Sequence, residues 1–188
     1  MKVVLASRNA HKIDELRRMS PRIDWALMPA DLPDPPETGT TFESNAEEKA
    51  RFVHARTGGW VLADDSGLEV DALGGRPGVH SKRYSPEATD TSNNALMLRQ
   101  LEGVSDERRT ARYRCVLALV DPDGTVLFFA GACEGRIGES PRGIGGFGYD
   151  PLFLPIATPG RTMAELTPEE KDAISHRGAA MKRLSAVL

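Results

Sequence analysis

Short apolar runs alternate along the chain with stripes of apolar residues at helical spacing. Residues 2–6 form the first run and predict a buried strand. Ile13, Leu16 and Met19 follow on one helical side, with Asn9 placed to cap the helix and Pro21 to stop it. Residues 25–27 predict a short strand. Residues 31–38, DLPDPPET, carry three prolines and are expected to be an exposed loop ending near Glu37 and Gly39. Phe42, Ala46, Ala50 and Val53 form the stripe of a helix over 40–56, opened by a capping box of Thr40 and Glu43 and ended by Gly58 and Gly59. Lys49 falls off that stripe.

Residues 60–63 predict a buried strand that stops at Asp64 and Asp65. Gly74, Gly75, Pro77 and Gly78 predict a tight turn that delivers Lys82 and Arg83. Residues 85–93 read as polar loop and 94–101 as a helix stopped by Gly103. Residues 112–120 alternate, with Tyr113, Cys115, Leu117 and Leu119 on one face. A turn at Asp121, Pro122, Asp123 and Gly124 leads to a partner strand over 125–130 and a third over 132–138. Thr167, Pro168 and Glu170 open a last helix, whose apolar side continues through Met181, Leu184 and Leu188.

Composition narrows the class. A chain of 188 residues, 40% apolar and 27% charged, fits one soluble globular domain with room for two lobes around a cleft. A net charge of −3 argues against a general nucleic-acid binder. Cys115 and Cys133 lack metal-type spacing and read as reduced core thiols of a cytosolic protein. The apolar start is too short for a signal peptide, and no stretch has the length of a membrane span.

Chemistry concentrates in a few places. Asp64 and Asp65 need positive charge beside them if buried, and a hard divalent cation is the usual partner. Acids for a metal followed by Lys82 and Arg83 for an anion suggest a phosphate ester as substrate; a solvated Asp- and Gly-rich turn is the plainer account. Residues 7–12 join a strand to a helix start, where backbone N–H groups favour an anion, although the glycines of a Walker loop are missing. Glu37 either joins Asp65 on a metal or is a surface carboxylate. In the glycine-dense residues 141–153, Phe147 or Tyr149 either stacks on a flat base or plugs the core. Lys171, His176 and Arg177 make a donor-rich surface that suits a keto base or phosphates, or else a solvated basic face.

Taken together and in order, SRNAHK (7–12), ETGTTFESNAEEKA (37–50), ADDSGLEVDALGGRPGVHSKRY (63–84), GGFGYDPLF (145–153) and ELTPEEKDAISHRGAA (165–180) resemble the inosine/xanthosine triphosphate pyrophosphatase family of house-cleaning nucleotide hydrolases. The resemblance spans nearly the whole chain and implies an α/β fold. That fold is an elongated mixed β-sheet flanked by helices, in two lobes of a single domain with a substrate cleft between them. It implies Mg²⁺-dependent hydrolysis of ITP, dITP and XTP to the monophosphate and pyrophosphate by a cytoplasmic homodimer. Ser7, Arg8, Asn9, Ala10, His11 and Lys12 would then hold phosphate. Arg8 stands where many members carry glycine. Glu37 and Asp65 would bind the metal, with Asp65 also the proton acceptor. Lys49, Ser66 and Lys82 would lie along the triphosphate. Phe147, Gly148, Tyr149, Asp150, Lys171, His176 and Arg177 would form the nucleoside end. A pyrophosphatase of different base preference and a non-catalytic nucleotide-binding module are the competing readings.

Overall fold

The first apolar run is strand β1 (Lys2–Leu5), parallel to its neighbours β2 (Asp24–Leu27) and β3 (Trp60–Val70). The computed structural model describes residues 1–187; Leu188 lies outside the described residues. With β4 (Thr110–Val120), β5 (Val126–Ile137) and β6 (Phe153–Pro155), the strands form one sheet in the order β2-β1-β3-β4-β5-β6. The β5–β6 pair is antiparallel, so the sheet is mixed, as expected. The α-helices are α1 (Ala10–Met19), α2 (Phe42–Thr57), α3 (Asp90–Gln100), α4 (Pro168–Ile174) and α5 (His176–Ser185).

The chain forms two compact units. The first holds Met1–Asp65, Cys115–Gly131 and the segment from Arg177 onward; the second holds Ser66–Arg114 and Ala132–His176. In the first, Val3, Leu5, Leu62, Cys115, Leu117 and Leu119 of the sheet pack with Ile13 and Leu16 of α1 and Met181 and Leu184 of α5. In the second, Leu68, Val70, Tyr113 and Ile137 pack with Met97 of α3, with its C-cap Leu101, and with Tyr149, Leu152 and Phe153.

Several elements differ from the sequence reading. Strand β3 runs on through Asp64 and Asp65 to Val70 instead of stopping at them. The α2 capping box is Thr41 with Ser44, one residue later than Thr40 with Glu43. Helix α3 starts at Asp90 because Thr89 and Ser92 form a capping box inside the stretch read as loop. The two strands expected over 125–138 are the single strand β5. The last helix is two: Ser175 is extended (φ −70°, ψ 157°) and separates α4 from α5, so Gly178 sits inside a helix.

Candidate active site

Successive residues of a strand point to opposite faces, so Asp64 and Asp65 on β3 have different surroundings. Asp64 faces the side covered by α1 and α5. Arg177 donates to it from Nε at 2.7 Å, and Lys12 from Nζ at 2.5 Å. The Cys115 thiol donates at 3.4 Å. Burial would raise the Asp64 carboxyl, but Arg177 and Lys12 outweigh it and hold its pKa well below the ordinary carboxylate value. Arg177 also pairs with buried Glu15 of α1.

Asp65 faces α2. Lys49 donates to its Oδ1 at 2.7 Å and to Glu37 Oε1 at 2.8 Å. Asn45, one turn before Lys49, donates from Nδ2 to Asp65 Oδ2 at 3.3 Å. Asn45 and Lys49 share the buried stripe of α2 with Phe42, Ala46, Ala50 and Val53, so Lys49 is on that stripe, not off it. The Glu37 loop is tied to the same helix: Glu48 accepts from the Thr38 N–H at 2.8 Å and from its hydroxyl at 2.9 Å. Burial disfavours the Lys49 ammonium, yet Asp65 and Glu37 outweigh it and raise its pKa. Burial also raises the Asp65 carboxyl, which Lys49 offsets only in part. The two shifts have different causes: the two carboxylates raise Lys49, and burial raises Asp65.

The two lysines meet. Lys49 Nζ lies 3.0 Å and Lys12 Nζ 3.4 Å from the Asp64 carbonyl oxygen. Beside them is the start of α1, where Asn9 caps the helix by accepting from the Lys12 N–H at 3.3 Å and the Asn9 N–H donates to Ser7 Oγ at 3.1 Å. Arg8 is engaged elsewhere: it pairs with Asp34 at 2.8 Å and donates to the carbonyls of Ala30 and Leu32. It braces the proline-rich loop that precedes Glu37. Ala10 and His11 are exposed.

This donor set suits a hard cation. Glu37 and Asp65 come from separate segments and converge on one ammonium, so a positive ion is already accommodated between them. Two carboxylates leave the remaining positions of Mg²⁺ to water and phosphate oxygens, the usual arrangement at phosphate-transfer sites.

In the second unit, Asp150 organises the glycine-dense loop. Its Oδ2 accepts from Lys171 Nζ at 2.6 Å and from the Phe147 N–H at 2.9 Å, and its Oδ1 from the Tyr113 hydroxyl at 3.2 Å. Gly146 (φ +71°) is needed here, because a Cβ would collide with the Asp150 carboxylate. The Lys171 ammonium stands 4.7 Å from the Phe147 ring centroid, and His176 stacks on Tyr113 at 4.7 Å. Helix α3 grips the Gly148 peptide from both sides, with Asp90 accepting from its N–H at 2.7 Å and Asn94 donating to its carbonyl at 2.9 Å. Tyr149 is a core residue whose hydroxyl donates to the Ser81 carbonyl at 2.9 Å, whereas Phe147 is half-buried. Ser66 is half-buried and Lys82 is exposed on the 3-10 turn Gly78–Arg83.

The first unit thus gathers Lys12, Glu37, Lys49 and Asp65, and the second gathers Phe147, Gly148, Asp150, Lys171 and His176. Arg177, expected with the nucleoside group, is spent on Asp64 and Glu15. Sequence reasoning missed Glu15, Asn45, Asp90, Asn94 and Tyr113. For Asn45 a signal existed: a polar residue at the i+3 position from Phe42 falls on the apolar stripe.

The model of the Ham1 family matches residues 3–187. The chain is 50% identical to the dITP/XTP pyrophosphatase of Exiguobacterium sibiricum, covering 100% of this chain and 97% of that one. The solved structure of a HAM1 protein from Coxiella burnetii superposes with a TM-score of 0.89 at 43% identity, over 100% of this chain and 98% of the other. The crystal structure of the nucleoside-triphosphatase / dITP/XTP pyrophosphatase from Mycobacterium abscessus gives a TM-score of 0.79 at 46% identity, over 100% and 99%.

Proposed function

This chain belongs to the Ham1 family, and from that membership and the chemistry around Asp65 we propose that it hydrolyses ITP, dITP and XTP to the nucleoside monophosphate and pyrophosphate. The observation that carries the reading is the convergence of two carboxylates, Glu37 and Asp65, with two ammoniums, Lys49 and Lys12, in the first unit. Carboxylates alone would repel a triphosphate, and ammoniums alone would only bind one.

Water attacks the α-phosphorus. Asp65 accepts the proton that the water loses, a role favoured by burial, which raises its carboxyl above the ordinary value. A bond forms between the water oxygen and the α-phosphorus, and the bond from that phosphorus to the bridging oxygen breaks. Lys12, Lys49 and Lys82 stabilise the charge left on pyrophosphate, and the N–H groups at the start of α1 add neutral donors. Glu37 and Asp65 would hold Mg²⁺, which when bound neutralises phosphate charge and orients the phosphates.

Phe147 offers a ring face to the base, and Lys171 an ammonium that can only donate. Hypoxanthine and xanthine present an acceptor oxygen at the six position where adenine presents a donor, so ATP leaves buried groups unpaired. Rejection of GTP requires a clash or an unpaired group at the two-amino position. The chain acts as one pyrophosphatase domain of a cytoplasmic homodimer. The dimer is supported by the family resemblance and by the exposed Leu127 and Phe128 of β5. Asp65→Asn tests the core of this reading. It is expected to lower kcat by about 10²–10⁴-fold, the range for loss of a general base, while nucleotide binding is largely kept. Normal turnover in that variant defeats the assignment.

A further inference from the structure

Asp65 is held at both oxygens by one face of α2. Lys49 takes Oδ1, and Asn45, four residues earlier, takes Oδ2. Each carboxylate oxygen can accept more than one hydrogen bond, so both retain capacity for a water. Asn45 is only 3% exposed, and its own Oδ1 is buried with no hydrogen-bond partner among the described residues. A buried amide oxygen without a donor is destabilising and rare in native proteins. An apolar residue would cost less at this position, since Phe42, Ala46, Ala50 and Val53 already make the rest of the stripe. The Gly39 backbone packs against this part of α2, where a Cβ would collide with Ser44 Oγ and stand 2.8 Å from Asn45 Oδ1.

A buried acceptor without a donor, beside a general base, calls for one small donor, a water molecule. We propose that Asn45 is a positioning residue for the hydrolytic water, fixing Asp65 through Nδ2 and accepting a hydrogen bond from that water through Oδ1. This rests on the pyrophosphatase reading above. A water whose two hydrogens point to Asp65 and to Asn45 Oδ1 has a lone pair left to aim at the α-phosphorus. On attack, the hydrogen facing Asp65 passes to the carboxylate. The other stays on the oxygen that becomes part of the monophosphate, still bonded to Asn45. Pyrophosphate leaves with the bridging oxygen, so the step balances without any further reactant.

The test replaces Asn45 by Leu, of nearly equal size, and separately by Ala. Steady-state hydrolysis of ITP is measured for each, together with calorimetric binding of the α,β-methylene analogue of ITP and the melting temperature. A water-positioning role predicts a fall in kcat of about 10-fold or more, with KM and analogue affinity held within about 3-fold. The melting temperature of Asn45→Leu should stay close to that of wild type, because the unpaired oxygen and the Nδ2 bond to Asp65 are removed together. Values of kcat within twofold of wild type in both variants overturn the proposal. So does a loss of analogue binding as large as the loss of kcat, which would mark Asn45 as merely structural. If Asn45→Leu does not fold, Asn45→Ala decides alone by the same split. Failure of the wild-type protein to release pyrophosphate from any nucleotide would instead defeat the underlying reading.

Discussion

Arg177 donates through Nε to the Asp64 carboxylate at 2.7 Å, with the two side chains 1% and 0% exposed. Glu15 takes the other end of the same guanidinium. The three residues tie α1, β3 and α5 together in the first unit. Removing one member of a buried pair leaves a charge without its partner, which costs about 3–5 kcal/mol. Arg177→Ala is therefore expected to lower unfolding free energy by about that much in urea titrations at pH 7, by removing the guanidinium that both carboxylates share. Stability equal to wild type would mean that the network contributes nothing.

The same network sets an acid limit. The Asp64 pKa is depressed in the folded protein, so the unfolded chain binds the extra proton first as pH falls. The stability from Asp64 is fully present above the unfolded carboxylate value, about 3.9, and is lost as pH drops toward the folded value. Wild-type urea midpoints should fall below about pH 4, whereas Asp64→Asn should be less stable at pH 7 and fall less steeply. Parallel curves for the two proteins would contradict this.

Glu37 and Asp65 share the role of metal ligand in this account, and Glu37 is the more exposed of the two, at 30% against 9% for the side chains. Glu37→Gln keeps the shape and removes one charge. Activity in that variant should require about tenfold more Mg²⁺ for half-saturation, at the lower end of the losses seen when groups around a metal are altered. Chelation should abolish turnover in the wild-type protein. An unchanged Mg²⁺ requirement in the variant would remove Glu37 from the ligand set.

Local signals were the most legible part of the sequence. Asn9 caps α1, and Thr167 with Glu170 caps α4, because capping depends on residues three positions apart. The same local chemistry gave the loop over 31–38, which holds neither helix nor strand. The mixed sheet was implied by the resemblance and is borne out by the parallel β1 pairs and the antiparallel β5–β6 pair. Buried polar partners were not legible. Glu15 and Arg177 lie 162 residues apart, and a carboxylate beside Leu16 reads as surface until its guanidinium is placed. Lys49 falls off the apolar stripe by residue type, yet two carboxylates stabilise it on the buried face. The break at Ser175 was hidden because apolar spacing continues across it into α5.

The central claim is the reaction and its choice of base. The most direct test is release of pyrophosphate from ITP, dITP, XTP, GTP and ATP, each with and without Mg²⁺, with the nucleotide product identified. The account predicts Mg²⁺-dependent pyrophosphate and monophosphate from the first three, with GTP and ATP far slower. Orthophosphate with a diphosphate product would place the attack at a different phosphorus. Turnover of ATP and GTP as fast as ITP would contradict the base choice.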